Sequence, residues 1–251
     1  KAKGMAHYKL ILAYDGTNYN GFQRQAIKTS VQATFEEALR RLGWQGRAIM
    51  PSGRTDSGVH AKGQVVSFNL DWNHPDYALQ NALNAFLPAD IAVQSVQQVD
   101  PDFHPRYDAL SRRYRYQLYW QSARDPLRDR YAWRLDRKPE LSPMQAAAND
   151  LLGEHNFIAF GKALKEDGTT IRRIFSADWV EKEDGMSFTI VGNAFLYHMV
   201  RRIVYVLVRI GLGELPTETV RLGLENLSTG IVSLAPARGL TLEAVTFSED
   251  K

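Results

Sequence analysis

The chain has 251 residues, of which 44% are hydrophobic and 24% are charged, and its formal net charge is +3. This length is enough for one large domain or two small ones with a proper hydrophobic core. The absence of cysteine excludes disulfides, thiol nucleophiles and cysteine-ligated metal sites, and it fits a reducing compartment.

Two segments bear on membrane association. The longest apolar helical candidate, residues 196–210, contains Arg201, Arg202 and Arg209, so we expect no membrane span. Residues 1–4 have no apolar stretch behind them, and we expect a short tail instead of a signal peptide.

The N-terminal half opens with a strand and a helix. Residues 7–14 alternate in polarity, which predicts a strand. Thr29 and Gln32 fit a capping box in front of an apolar helical stripe, and Gly43 is a typical C-terminal stop.

Three further elements complete this half. A strand is predicted over residues 64–70, Pro75 begins a helix through Leu87, and a strand follows over residues 91–99. The predicted inner face of that helix comprises Leu79, Leu83 and Phe86.

An irregular stretch with two prolines, residues 100–110, separates the halves, which we predict as 1–108 and 109–251. Aromatic content predicts a strand over residues 111–120, with Tyr114 on one face and Arg113 and Arg115 on the other. The remaining predicted elements are a charged connector over 124–138, a helix from Ser142 to near Gly153, a hairpin of strands 171–181 and 186–192, a buried helix over 196–210, a helix after Pro216 and a strand over 240–247. Because each half mixes strands and helices, we predict an α+β fold of two sheet-and-helix halves that meet at a cleft.

Residues 52–61, SGRTDSGVHA, form a polar loop in which several candidate catalytic side chains lie close together in sequence. Gly53 and Gly58 suit a sharp turn because glycine tolerates positive φ. Between them lie Arg54, two hydroxyls and Asp56, which fits a catalytic loop. The same composition also fits an ordinary turn, where Asp and Ser are common.

Several familiar chemistries are not supported. Gly53 and Gly58 have the spacing of a P-loop, but Val59 and His60 stand where Lys and Ser or Thr are needed, which excludes an NTPase of that type. The six histidines show no paired ligand spacing and no G-x-S-x-G motif occurs, so we expect neither a metal site nor a serine hydrolase.

RNA binding fits better. Arginines and tyrosines alternate around the first strand of the second half: Arg106, Tyr107, Arg112, Arg113, Tyr114, Arg115 and Tyr116. Arginines neutralise phosphates, and flat rings stack on unpaired bases. The alternative is a strand with a solvated arginine face.

A carboxylate beside a base-stacking strand suggests chemistry on an extruded nucleotide. Asp56 would then be the reactive group, Arg54 a phosphate or gap-filling contact, and Tyr114 a platform under the base. A nearby cation favours an ionised carboxylate, and Arg201 is the candidate because an unpaired guanidinium on an apolar helix is unfavourable. The alternative is that Arg201 snorkels to water.

Five motifs in order resemble the TruA-type tRNA pseudouridine synthases. They read YDGTNYNGFQRQ over 14–25, GRTDSGVHA over 53–61, FHPRYDA with RRYRY over 103–116, NAFLYHMVR over 193–201 and APARGL over 235–240. Ser57 replaces the usual Ala of the family signature, and Pro105 stands where Ala is common.

The resemblance implies cofactor-free isomerisation of uridine to pseudouridine at positions 38, 39 and 40 of the tRNA anticodon stem–loop. It implies a cytoplasmic homodimer with a central basic cleft. Its implied site comprises Asp56 as catalytic aspartate, Tyr114 as the active-site aromatic, Arg201 as the basic partner, Arg54 as the base-flipping contact and Leu240 as an apolar wall. We further expect four arginines to contact the substrate: Arg24, Arg106, Arg113 and Arg115.

Two other classes remain open from the residues. One is a non-catalytic RNA-binding protein, which needs the arginines but not Asp56. The other is an enzyme acting on a free nucleoside, which would not need the spread of arginines. If Asp56 is catalytic, attack on C1′ and removal of a proton from C2′ are both open.

Overall fold

The computed structural model of the chain describes residues 4–163 and 168–248, so most of the predicted tail lies outside the described residues. The chain forms two compact units, residues 4–110 with 242–248 and residues 111–163 with 168–241. Each unit combines helices with antiparallel strand pairs, which confirms the predicted α+β class. Nowhere in the described ranges is a helix both long and apolar enough to cross a membrane.

The elements of the first unit, in chain order, are β1 (Met5–Tyr14), α1 (Val31–Arg41), β2 (Met50–Pro51), β3 (His60–Asp71), α2 (Asp76–Phe86) and β4 (Ile91–Val99). Strand β1 lies between β3 and β4 and is antiparallel to both, and β2 pairs with β3. Apolar side chains of β1 and β3, among them Leu10, Leu12 and Phe68, are buried. Phe35 of α1 packs against Phe68 with ring centroids 6.1 Å apart, so α1 contributes to this core.

Helix α1 is capped differently from the prediction. Ser30 is the N-cap and accepts a hydrogen bond from Ala33 N at 3.3 Å, whereas the predicted cap was Thr29. Gln32 does not close a capping box, because its amide accepts from Arg24 N and donates to Glu36. Thr and Ser both cap well, so neighbouring candidates cannot be separated by residue type. The predicted stop at Gly43 is confirmed by its φ of +90°.

Helix α2 buries Leu79 and Leu83 as predicted, but the prediction for Phe86 is wrong. Phe86 is 42% exposed, and the guanidinium of Arg41 lies 5.4 Å from its ring centroid. Phe86 is the last residue of α2, so its ring lies past the buried stripe.

The second unit contains β5 (Ser111–Trp120), β6 (Trp133–Leu135), α3 (Leu141–Asn149), β7 (Gly153–Asn156), β8 (Ile171–Lys182), β9 (Gly185–Gly192), α4 (Met199–Gly211) and α5 (Thr219–Glu225). Strands β5, β9, β8 and β7 pair antiparallel in that order, and β6 pairs parallel with β5. Strand β10 (Leu240–Thr246) begins in this unit, and its residues from Leu242 onward belong to the first.

Two helices of the second unit differ from the predicted bounds. Helix α3 ends at Asn149, and Gly153, at φ +95°, begins β7 instead of closing the helix. Helix α4 is buried as predicted but begins at Met199, because Tyr197 forms a bridge to Lys162 and His198 has a φ of +66°. A left-handed residue interrupts the α-helical hydrogen-bond series, so the segment before it stays outside the helix.

Three short strands were not predicted from the sequence. Strands β2, β6 and β7 have two, three and four residues, too few to show a polarity period. Strand β6 falls inside the predicted charged connector, where its pairing with β5 is a long-range contact.

Candidate active site

The Asp56 loop, defined here as residues 52–59, connects β2 to β3 in the first unit. Strand β3 supports one end of the loop. Ser52 N donates to Val65 O at 2.8 Å, and Ser52 Oγ donates to Gln64 Oε1 at 2.8 Å. Gln64 Nε2 in turn donates to Gly53 O at 3.0 Å, so a buried glutamine holds two consecutive loop residues.

The segment after β1 supports the other end. Tyr14 and Thr55 share a buried hydrogen bond between hydroxyls 2.8 Å apart, and Phe22 N donates to Thr55 O at 3.1 Å. Tyr19 O accepts from Gly58 N at 3.3 Å and from Ser57 Oγ at 3.2 Å. The Ser57 hydroxyl therefore bonds to the Tyr19 backbone, in the same segment that supports the loop.

Two glycines allow this close approach. A Cβ on Gly16 would lie 2.0 Å from Val59 O, and one on Gly21 would lie 2.7 Å from Thr55 O. Gly21 also has a φ of +84°, which favours glycine. The first motif, YDGTNYNGFQRQ, is thus the scaffold on which the Asp56 loop rests.

The turn of the loop uses one of the two predicted glycines. Gly58 has a φ of +77°, as predicted. The prediction for Gly53 is wrong, because its φ is not positive and a Cβ there would meet open space. Val59 N donates to Asp56 O at 3.1 Å and closes the turn.

These anchors hold the backbone of the loop that carries the predicted reactive carboxylate, Asp56, and the predicted base-flipping contact, Arg54. Asp56 is half-buried. Arg54 is exposed and makes no hydrogen bond or ion pair with any residue in the described ranges. A carboxylate on a backbone fixed at both ends can act as a nucleophile or a base without first ordering the loop.

Tyr114 lies on β5 in the second unit, half-buried and edge-on to Phe195 with ring centroids 5.2 Å apart. Its cross-strand partner is Ile190, which is fully buried. Because side chains alternate along a strand, Arg113 and Arg115 point to the opposite face from Tyr114.

Arg201, in the first turn of α4, organises the loop before β10. Its Nε donates to Ala235 O at 2.9 Å, while its own carbonyl accepts from Ala235 N at 3.1 Å. The same loop is held by Tyr116, whose hydroxyl donates to Pro236 O at 2.8 Å. A Cβ on Gly239 would lie 2.5 Å from the Tyr116 ring, so Gly239 must be small. Leu240, the predicted apolar wall, follows directly and is buried.

The remaining predicted contacts differ in their surroundings. Arg24 donates from Nη1 to Glu36 Oε2 at 2.7 Å, and the Glu36 side chain is fully buried. Arg106 is exposed on a turn in which His104 N donates to Asp108 Oδ2 at 2.8 Å. Arg113 is exposed and has no ion pair among the residues described.

Tyr14, Gly16 and Gly21 belong to the first motif, but the sequence alone predicted no role for them. The structure shows that they position the Asp56 loop. The signal that could have found them was a strand followed at once by two glycines five residues apart, a pattern typical of close backbone approach.

Comparison with known proteins agrees with this arrangement of motifs. A family model described as tRNA pseudouridine synthase matches residues 10–108 and 147–248. A tRNA pseudouridine synthase A from Syntrophotalea carbinolica is 40% identical over 97% of this chain and 97% of the relative. One from Geobacter sp. is 39% identical over 98% of this chain and 100% of the relative.

A solved structure of a Cbf5-Nop10-Gar1 complex aligns with 81% of this chain and 45% of that chain. Its TM-score is 0.36 at 11% identity, so the assignment rests on the sequence relatives. Since the family model covers most of the chain and the relatives align over nearly its full length, the chain belongs to the tRNA pseudouridine synthase family, whose members are isomerases that convert uridine to pseudouridine.

Proposed function

We propose that this enzyme isomerises uridine to pseudouridine at positions 38, 39 and 40 of the tRNA anticodon stem–loop, acting as a cytoplasmic homodimer without a cofactor. The observation that carries the proposal is the Asp56 loop, anchored by β3 at one end and by the segment after β1 at the other. The relatives' names support tRNA as the substrate, and the resemblance of the motifs supports the anticodon positions.

The reaction breaks the bond between C1′ and N1 of uridine, turns the detached uracil and forms a bond between C1′ and C5. The C5 proton leaves and N1 gains a proton, so the change is an isomerisation that needs neither oxidant nor reductant. Asp56 is the proposed reactive carboxylate, acting on C1′ as a nucleophile or on C2′ as a base.

Four further residues have proposed roles in the reaction. Tyr114 stacks on the extruded base, and its hydroxyl moves the C5 proton. Arg54 fills the gap that the base leaves, which fits an exposed guanidinium without a protein partner in the described ranges. Arg201 keeps a carboxylate ionised, and Leu240 forms an apolar wall.

Three arginines of the central motif are the proposed contacts to the RNA backbone. Arg106 and Arg113 are exposed, and Arg115 follows on the same sheet face as Arg113. Guanidinium groups that reach solvent can neutralise phosphates. Arg24 is also proposed as a contact, although its pairing with Glu36 already holds one of its nitrogens.

Mapping the product in defined substrates tests the proposal. Three tRNA transcripts, each with a single uridine at position 38, 39 or 40, are incubated with the enzyme, and pseudouridine is located by carbodiimide modification and primer extension. We expect pseudouridine at each position and none in a transcript without uridine there. Modification only outside the anticodon arm would refute the site, and binding without any product would favour the non-catalytic alternative. Conversion of free uridine would favour the nucleoside enzyme.

A further inference from the structure

Helix α4 carries a half-exposed stripe on an otherwise buried surface. Arg202, Tyr205 and Arg209 are spaced three and four residues apart, which places them on one side of the helix. The other residues of the helix, Arg201 excepted, are buried. Besides Arg201, the stripe is therefore the part of α4 that can meet a ligand.

Two members of the stripe have protein partners. Arg209 pairs with Glu214, and its guanidinium lies 5.0 Å from the centroid of the Tyr205 ring. Tyr205 also stacks on Trp133 with ring planes 8° apart and centroids separated by 6.2 Å. Arg209 and Tyr205 therefore each have partners within the folded chain and need no ligand to satisfy them.

Arg202 differs. Its Nε is fully shielded from solvent and has no hydrogen-bond acceptor, and the guanidinium forms no ion pair within residues 4–163 and 168–248. Burial alone lowers the pKa of this guanidinium, with no opposing carboxylate. Nothing in the described chain compensates for the partial loss of hydration of this charge.

A partly desolvated cation without an acidic partner disfavours the folded state, so its presence calls for a ligand. The guanidinium is planar and carries five donors in a fixed fork, a geometry that matches the oxygens of a phosphate. An RNA substrate offers phosphates at every nucleotide.

We propose that Arg202 binds a backbone phosphate of the RNA substrate. This inference rests on the proposed function for the identity of the ligand. It assigns a phosphate contact to α4. The substrate-binding arginines predicted from the sequence, Arg24, Arg54, Arg106, Arg113 and Arg115, all lie on other parts of the chain.

The proposal predicts that Arg202→Gln stabilises the free enzyme but weakens its binding to tRNA. Arg202→Gln removes the unpaired charge, so the free enzyme should melt about 2 °C higher. The same variant should bind tRNA about tenfold more weakly. The slope of log K against log salt should fall by about 0.9, since one fewer phosphate is neutralised. Arg202→Lys keeps the charge and should retain most of the slope.

The matched control is Arg209→Gln on the same helix, where the arginine already has Glu214 as partner. It should lower the melting temperature and leave the salt slope unchanged. For Arg202→Gln, an unchanged slope, or a lower melting temperature with wild-type affinity, would overturn the proposal. A change in sedimentation of Arg202→Gln would instead assign Arg202 to a contact between copies and also overturn it. These measurements need only binding, so a wild-type enzyme that makes no pseudouridine would refute the proposed function without deciding the role of Arg202.

Discussion

The hydroxyls of Tyr14 and Thr55 lie 2.8 Å apart in a buried hydrogen bond between the end of β1 and the residue before Asp56. The two residues belong to different family motifs and are 41 positions apart. The bond fixes the backbone immediately before the proposed reactive carboxylate, so the first motif supports the second.

Tyr14→Phe should therefore affect both stability and turnover. Loss of one hydrogen bond costs about 1 kcal/mol of unfolding free energy. A small displacement of Asp56 should lower kcat about tenfold. Because Thr55→Val removes the same bond, the double variant should be little worse than either single variant in a denaturation cycle. Additive losses would show that the two hydroxyls act independently.

The glycine at position 21 offers a test of the scaffold with a built-in control. Gly21 and Gly43 both have positive φ, but only at Gly21 would an added Cβ meet a carbonyl, Thr55 O, at 2.7 Å. Gly43→Ala should cost about 1–2 kcal/mol from backbone strain alone and keep full activity. Gly21→Ala should cost about 3 kcal/mol and lose most turnover, because Thr55 must move. Equal effects in thermal melts and activity assays would contradict this role.

These long-range anchors mark the limit of what the sequence could predict. Hydrophobic periods located β1 and α1, apolar runs located β3 and α4, and aromatic content located β5, because each of these elements buries much of its surface. The hydrogen bond between Tyr14 and Thr55 produces no periodic pattern in the sequence. It links segments that only folding brings together, and a motif string cannot show which residues touch.

Some local details, such as which residue caps a helix, also could not be predicted from the sequence. Ser30 caps α1 although Thr29 is equally suitable by type. Phe86 continues the apolar spacing of α2 but is exposed at its end. The candidate residues Arg54 and Asp56 were found because unusual chemistry was concentrated in one short glycine-flanked loop.

Tyr116 should make the free energy of unfolding decrease as the pH becomes alkaline. Burial raises the pKa of its phenol above the usual value, with the charges of Arg201 and Arg238 opposing the shift. As pH rises, the unfolded chain loses the phenolic proton first, so stability is complete below about pH 10 and falls above it.

Denaturation curves between about pH 8 and pH 11 test this dependence. Tyr116→Phe should lose about 1 kcal/mol at pH 8, from the bond to Pro236, and should show a smaller further loss toward pH 11. The control Tyr77→Phe, at a 67% exposed position, should follow the wild-type curve. A Tyr116→Phe curve parallel to wild type would contradict the prediction.

Arg113 and Arg115 share a face of β5 that Tyr114 does not, so their role in binding can be separated from that of the aromatic ring. Replacing both with Gln should lower the slope of log K against log salt for tRNA by about 1.5, with kcat at saturating tRNA kept. Arg221→Gln is the control, since Arg221 is on α5 and pairs with Glu225. An unchanged slope for the double variant would place the RNA on another face.

Release of tritium from tRNA labelled at C5 of uridine most directly tests whether Asp56 performs the chemistry. We predict that the wild type releases the label and that Asp56→Asn releases none above background while keeping its melting temperature and its affinity for tRNA. Asp71→Asn, an exposed carboxylate at the end of β3, should release label like the wild type. Substantial release by a folded Asp56→Asn variant would contradict the assignment of Asp56 as the catalytic residue.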